Sequence, residues 1–290
     1  MTAPVPPPVV PDPADPADPA DPEDPADPAG RAGRAAPADR AGRADPADPA
    51  APNQLRAFVA VYQLLLRSVA TRGRLVAIGA LAVVSLLTAL AVHASSPYDS
   101  LGAATGYVDG NLTALVPVAV LVFGAATLGD LIDDGALVYL WLRPVPSRVH
   151  VMAAWAATVS IAIPLVGAPV LLAAAVIDPD PGLLVGTIMG ALLAICAYSG
   201  LFVMAGIRFR RAVPWGLVYI LIWEGFVASA GETAAKLAIR SYVRSILSQQ
   251  TGQALNLAEF NLASGILVPL VVTVVALAYA NRRLARIDVA

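Results

Sequence analysis

The chain has 290 residues, of which 58% are hydrophobic and only 14% charged, with a net charge of −2. A soluble domain carries about a quarter charged residues, so this composition, with a mean hydropathy of +0.69, excludes an ordinary water-soluble globule and leaves lipid to cover most of the surface. Ten of the 21 acidic residues and four of the 19 basic ones fall in the first 50 positions, so the net charge averages an acidic tail with a basic body.

Residues 1–53 are of low complexity. Asp-Pro-Ala recurs from Pro11 to Ala29 and from Asp45 to Ala50. Proline at every third position removes amide donors and favours polyproline II. Little beyond Ala and Pro could form a core, so the segment is expected to be a disordered tail. Arg31, Arg34, Arg40 and Arg43 lie between the acidic runs. A solvated tail, a tether for a partner or anionic lipid, and a true start further downstream all fit it. The opening residues lack a basic segment followed by an apolar one, so no secretory signal is expected there.

Residues 54–74 read as an amphipathic helix. Leu55, Phe58, Val59, Tyr62, Leu65, Leu66 and Val69 follow helical spacing, and Arg56, Gln63, Arg67 and Arg74 take the other face. That pattern suits a membrane surface, with the apolar stripe in the acyl boundary.

A bilayer core needs about 20 apolar residues as helix. Six such segments follow: Leu75 to His93, Leu112 to Leu128, Val149 to Ile177, Leu183 to Ile207, Val213 to Ala230 and Leu262 to Ala280. The second is short. The third contains Pro164 and Pro169, which predict a kink. Gly186, Gly190 and Gly200 in the fourth allow close helix contact. Cys196, the single cysteine, sits in the same run, can form no internal disulfide, and is expected to act as packing. The fold class is therefore all-α: a polytopic membrane protein of about six spans, occupying residues 75–286.

Lys and Arg counts set the expected orientation. With residues 1–74 in the cytoplasm, the inner side holds Arg56, Arg67, Arg72, Arg74, Arg143, Arg148, Arg208, Arg210, Arg211, Arg282, Arg283 and Arg286. The outer side holds Lys236, Arg240 and Arg244. Both termini are then cytoplasmic, which requires an even number of spans.

The connection 129–148 carries the strongest signal. It reads as a short helix at the inner surface: Asp133 and Asp134 complement its positive end, Arg143 its negative end, and Pro144 stops it. Leu137, Leu140 and Trp141 offer an apolar face, and Val145 to Arg148 turn the chain into the third span. The run Asp134-Gly135-Ala136-Leu137, then Leu140 and Arg143-Pro144-Val145-Pro146-Ser147-Arg148 is similar to the cytoplasmic element of ABC-2 type permeases, the membrane-spanning subunits of bacterial ABC exporters. Family members usually have Thr in place of Ala136 and lack the extra Pro146. A second stretch, Tyr219 through Trp223-Glu224 and on to Ser241-Tyr242, resembles the family's Tyr-x-x-x-Trp-Glu stretch and the Ser-Ile-x-x-Tyr element that follows it. The likeness covers about residues 55–286.

What the resemblance implies is specific. Asp133, Asp134, Gly135, Leu137, Leu140, Trp141, Arg143, Pro144, Val145 and Arg148 would couple to a separate ABC ATPase subunit. Segment 231–261 would be an outer amphipathic or gate element, with Trp223, Glu224, Arg240 and Tyr242 on the gate or pathway. The permease would work as a homodimer or with a sister chain in the bacterial plasma membrane, exporting an amphiphilic, drug-like or lipid-like substrate by alternating access.

From the residues themselves, segment 231–261 reads as a helix resting on the outer leaflet. Lys236, Arg240 and Arg244 stand at i, i+4 and i+8, where like charges repel unless phosphate or acidic groups relieve them. Glu224 is the one carboxylate this reading places inside a span, where it must be protonated, paired or facing a polar cavity.

Other chemistry is disfavoured. No Gly-x-x-x-x-Gly-Lys-Ser/Thr loop occurs, and Lys236 is the only lysine. The chain is therefore expected to be no enzyme and to hold no cofactor, with ATP and magnesium in the partner. His93 and His150 fall at opposite faces, so no metal site is expected. Ser199 lacks the glycine two residues before it that a nucleophile elbow needs. No nucleic-acid partner is expected. Two rivals stay open: an ion-coupled secondary transporter or channel using Glu224, and a non-transporting membrane scaffold.

Overall fold

The computed structural model describes residues 54–96, 98–133, 145–256 and 260–286. The expected tail, and Asp134, Gly135, Leu137, Leu140, Trp141, Arg143 and Pro144 of the coupling segment, lie outside the described residues.

All regular structure among the described residues is helical: α1 (Gln54–Val69), α2 (Arg72–Ser95), α3 (Ser100–Ile132), α4 (Ser147–Ile177), α5 (Pro181–Arg208), α6 (Ala212–Ser229), α7 (Ile239–Thr251) and α8 (Leu262–Leu284). A single turn, Glu232–Ala235, precedes α7. Six of these, α2 to α6 and α8, are long and apolar enough to cross a membrane.

Local signals in the sequence set several starts. Asp99 accepts from the amide of Gly102 at 3.0 Å, Asp180 from Leu183 at 2.9 Å, and Asn261 from Ser264 at 2.8 Å, each satisfying an amide that a helix end leaves unpaired. Pro181 follows the Asp180 cap, where its missing N–H costs nothing. The turn from α5 to α6 is tight, and Arg211 takes a left-handed φ of 60°, an uncommon conformation for a residue with a Cβ.

α5 is the central helix, packed by α3, α4, α7 and α8, while α2 lies on the second half of α4. Polar ties define the two ends. At one end Arg74 meets Asp130 at 2.7 Å and Ser147 donates to Asn281 at 2.8 Å. At the other, Ser100 donates to Asp178 at 2.7 Å and His93 bonds the carbonyl of Ile177 at 3.1 Å. His93 and His150 are thus at opposite ends, and no cluster of three or more His, Cys, Asp or Glu residues with metal-ligand spacing occurs among the described residues.

Three differences from the sequence reading follow. The second span begins at Ser100, not Leu112. Gly102, Gly106, Asp109, Gly110 and Asn111 interrupt the apolar run, but the fold neutralises the polar ones. Asp109 pairs with Arg244, and Asn111 accepts from Ser85 at 2.8 Å. Glu224 is therefore not the only carboxylate inside a span.

Second, α1 does not spend its whole stripe on lipid. Leu65 is fully buried in a cluster with Leu128, Val151, Ala154 and Val203, with Phe58, Tyr62 and Leu66 at its edge. Tyr62 also donates to Ser160 at 3.0 Å. Leu55 and Val59 remain exposed.

Third, α7 does not simply rest on a surface. It packs against α5 and α8 and buries Ile239, Tyr242, Val243, Ile246 and Leu247. As for the prolines, Pro164 lies within a π-helical turn, Ile163–Gly167, the wider geometry that accommodates a residue unable to donate to the ladder. Pro269 lies inside α8.

Candidate functional site

The site is built where α6 meets α7. The last part of α6 opens into a long π-helical stretch, Tyr219–Phe226. Such stretches are rare and frequent at functional sites. This one carries Trp223 and Glu224. Glu224 is 1% exposed.

The reason a carboxylate sits there is visible at the start of α7. The cap position of α7 is Ala238, which has no side-chain acceptor. Glu224 supplies it from a different helix. Its Oε1 accepts from the amide of Ile239 at 3.1 Å, and its Oε2 from the amide of Arg240 at 3.2 Å. The Tyr219 hydroxyl donates to Oε1 at 2.8 Å. Two otherwise orphaned amides and a phenol converge on one carboxylate at the start of a helix.

The remaining gate candidates surround this contact. Arg240 reaches back with Nη2 to the carbonyl of Gly225 and the hydroxyl of Ser229 on α6. Tyr242 donates to the carbonyl of Lys236 at 2.7 Å and stacks on Phe260 with ring centres 4.4 Å apart. The Trp223 indole donates to the carbonyl of Leu237 at 3.4 Å. The structure therefore brings Trp223, Glu224, Arg240 and Tyr242 to one junction, where all four fasten α6 and the segment after it to the start of α7. Asp133, Val145 and Arg148 lie at the other end of the bundle.

Two parts of the site were not read from the sequence. The first is a bidentate ion pair: Arg244 Nε meets Asp109 Oδ1 at 2.7 Å, and Nη2 meets Oδ2 at 2.8 Å. This pairing and the Ser229 contact, within the chain itself, relieve the repulsion expected along α7.

The second is the helix, α7, that the glycines of α5 admit. A Cβ on Gly182 would stand 2.2 Å from the carbonyl oxygen of Gln250, and one on Gly186 3.1 Å from the Cβ of Gln250. One on Gly190 would stand 3.3 Å from Val243. The spacing of four puts all three on one face of α5, and α7 lies against it. Gly200, by contrast, admits α8 at Thr273.

Around the junction several buried polar atoms have no well-formed hydrogen bond: the hydroxyls of Tyr198 and Ser241 and the Nε of Arg240. Buried groups of this kind are ordinarily met by water. The junction is thus a polar cluster within an apolar bundle, with Glu224 at its centre.

Six apolar helices of this length fit a multi-pass membrane protein, and within it the junction couples the fifth span to a helix folded in before the sixth. The chain matches no model of a known protein family and no curated protein.

Proposed function

We propose that this chain is the membrane-spanning subunit of an ATP-driven exporter of the ABC-2 type, moving an amphiphilic or lipid-like substrate by alternating access. The observation that carries the reading is α7, a helix between the fifth and sixth spans that is folded into the bundle and anchored through Glu224. It sits where the resemblance implies a gate, and the residues of the matching stretch hold it. An amphipathic helix ahead of six spans supports the same reading.

In this proposal both termini face the cytoplasm of a bacterial plasma membrane, because basic residues concentrate at that end. ATP and magnesium bind a separate ATPase, which docks on the segment 129–148. Closure of two ATPases on ATP moves that segment, and the bundle carries the motion to the α6–α7 junction. A homodimer or a pair with a sister chain forms the pathway. The exposed apolar face of α6, with Trp215, Leu221, Ile222 and Phe226, is available for such a partner.

Ion-coupled transport through Glu224 is the principal rival, and the buried carboxylate is what favours it. Three donors committed to that carboxylate weigh toward anchoring instead. A scaffold without transport is the remaining alternative.

The docking segment gives the test. Arg143→Ala, and Asp133→Ala with Asp134→Ala, are expected to lower substrate-stimulated ATPase activity of the reconstituted complex roughly tenfold or more. Each removes charge from the proposed docking segment, of which Asp133 is in the structure the last residue of the second span's helix and not the start of a separate one. Thermal unfolding of the isolated chain should stay unchanged. Full stimulation in a well-assembled variant would remove the docking claim.

A further inference from the structure

Outside the α6–α7 junction, the bundle has an apolar cleft of about 600 Å³ between α4, α5 and α8. Met152 and Trp155 of α4, Cys196 of α5, and Leu270 and Val274 of α8 line its walls. Arg148 and Asn281 stand at one end of it, where Ser147, next to Arg148, donates to Asn281.

The polar end is a donor set. No carboxylate pairs with Arg148 among the described residues, and its hydrogen bond to Gln54 is long, at 3.5 Å. The side-chain oxygen of Asn281 is occupied by Ser147, which leaves its amide to donate. The adjoining start of α4 has Pro146 at the cap position with no side-chain cap, and the positive end of the helix dipole adds to the potential there.

Length identifies the occupant. From Asn281 to Leu270 is 11 residues of helix, about 16 Å at 1.5 Å per residue. A bilayer core is about 30 Å thick, so the cleft spans one leaflet. A slot of one leaflet's depth, apolar along its walls and cationic at its mouth, matches a phospholipid with one acyl chain inside. Basic pockets between spans are recognised sites for anionic headgroups, and a guanidinium suits phosphate oxygens.

We propose that this cleft binds one anionic phospholipid from the leaflet at the Arg148 end, its phosphate on Arg148 and Asn281 and an acyl chain beside Trp155 and Cys196. The site is distinct from the α6–α7 junction and does not depend on the transport reading.

Trp155 reports on the site directly. The full chain carrying Trp141→Phe, Trp215→Phe and Trp223→Phe, purified in detergent and stripped of lipid, would be titrated with acyl-brominated phosphatidylglycerol and with brominated phosphatidylcholine. Phosphatidylglycerol is expected to quench Trp155 at a concentration at least tenfold lower. Arg148→Gln, a change at an exposed residue, should abolish that preference, and Ala278→Phe, which fills the cleft, should weaken quenching by both lipids. Native mass spectrometry of the unaltered chain should show one retained phosphatidylglycerol, which keeps the proposal testable if the single-tryptophan chain does not fold. Equal quenching by the two lipids, a preference that survives Arg148→Gln, or no retained lipid would overturn it. So would a disulfide between Cys196 residues of two copies in membranes, which would place a second chain in the cleft. These readouts are of lipid binding alone, so they stand or fall apart from ATPase coupling.

Discussion

Glu224→Ala is expected to release α7 from the bundle. The substitution strips a partner from two backbone amides and from the Tyr219 hydroxyl at once. A buried donor left unmet costs about 1–3 kcal/mol, so the loss of three partners is on the order of 3–9 kcal/mol, less whatever water recovers. That is a large share of the ~5–15 kcal/mol that holds a typical domain together. The midpoint of thermal unfolding in detergent should fall sharply, and protease should cut within 231–261 in a chain whose spans remain intact. Glu224→Gln keeps one acceptor oxygen but turns an NH2 group toward an amide, so it should lie between the two. An alanine variant with the parental midpoint would show that the carboxylate does not hold α7. A glutamine variant that folds normally yet transports nothing would support ion coupling.

The glycine seat is expected to be as demanding, and its sign is informative. Replacing a helical glycine by alanine favours a helix by about 1 kcal/mol where nothing else changes. At Gly182 the new Cβ would meet a backbone oxygen of Gln250 at 2.2 Å, an atom that cannot rotate away. Gly182→Ala should therefore destabilise despite its better propensity. Gly186→Leu should do so more strongly, because even its Cβ would come within 3.1–3.4 Å of Gln250 and Leu247; overpacking of this kind costs about 1–3 kcal/mol or more. Both variants should expose 231–261 to protease as Glu224→Ala does. A rise in the unfolding midpoint for Gly182→Ala would mean that α7 is not seated on α5.

The spans themselves were legible because they depend on a local property. Five of the six begin within about three residues of the expected start, since a run of apolar residues has one outcome in lipid. The second span shows where that logic stops. Asp109 and Asn111 look like the end of an apolar run until Arg244 and Ser85, distant in sequence, are brought to them.

The same limit hid the architecture of the site. Trp223, Glu224, Arg240 and Tyr242 could be named from the sequence, but not their relation. Nothing local tells that Ala238 lacks a cap that Glu224 will provide. Gly186 and Gly190 were visible as small residues, whereas the helix they admit was not. For α1 the amphipathic pattern was correct, and only the identity of the apolar medium differed. A stripe such as Phe58, Tyr62 and Leu65 satisfies lipid and a neighbouring helix equally well, and here α4 takes much of it.

The central claim, that this bundle works under a separate ATPase, is tested most directly by isolating the full chain from its native membrane in mild detergent and identifying what accompanies it. The account predicts a Walker-motif ATPase in stoichiometric amount, released by Arg143→Ala and by Asp133→Ala with Asp134→Ala. Recovery of an intact, correctly folded chain with no ATPase, together with transport driven by an ion gradient alone, would contradict it.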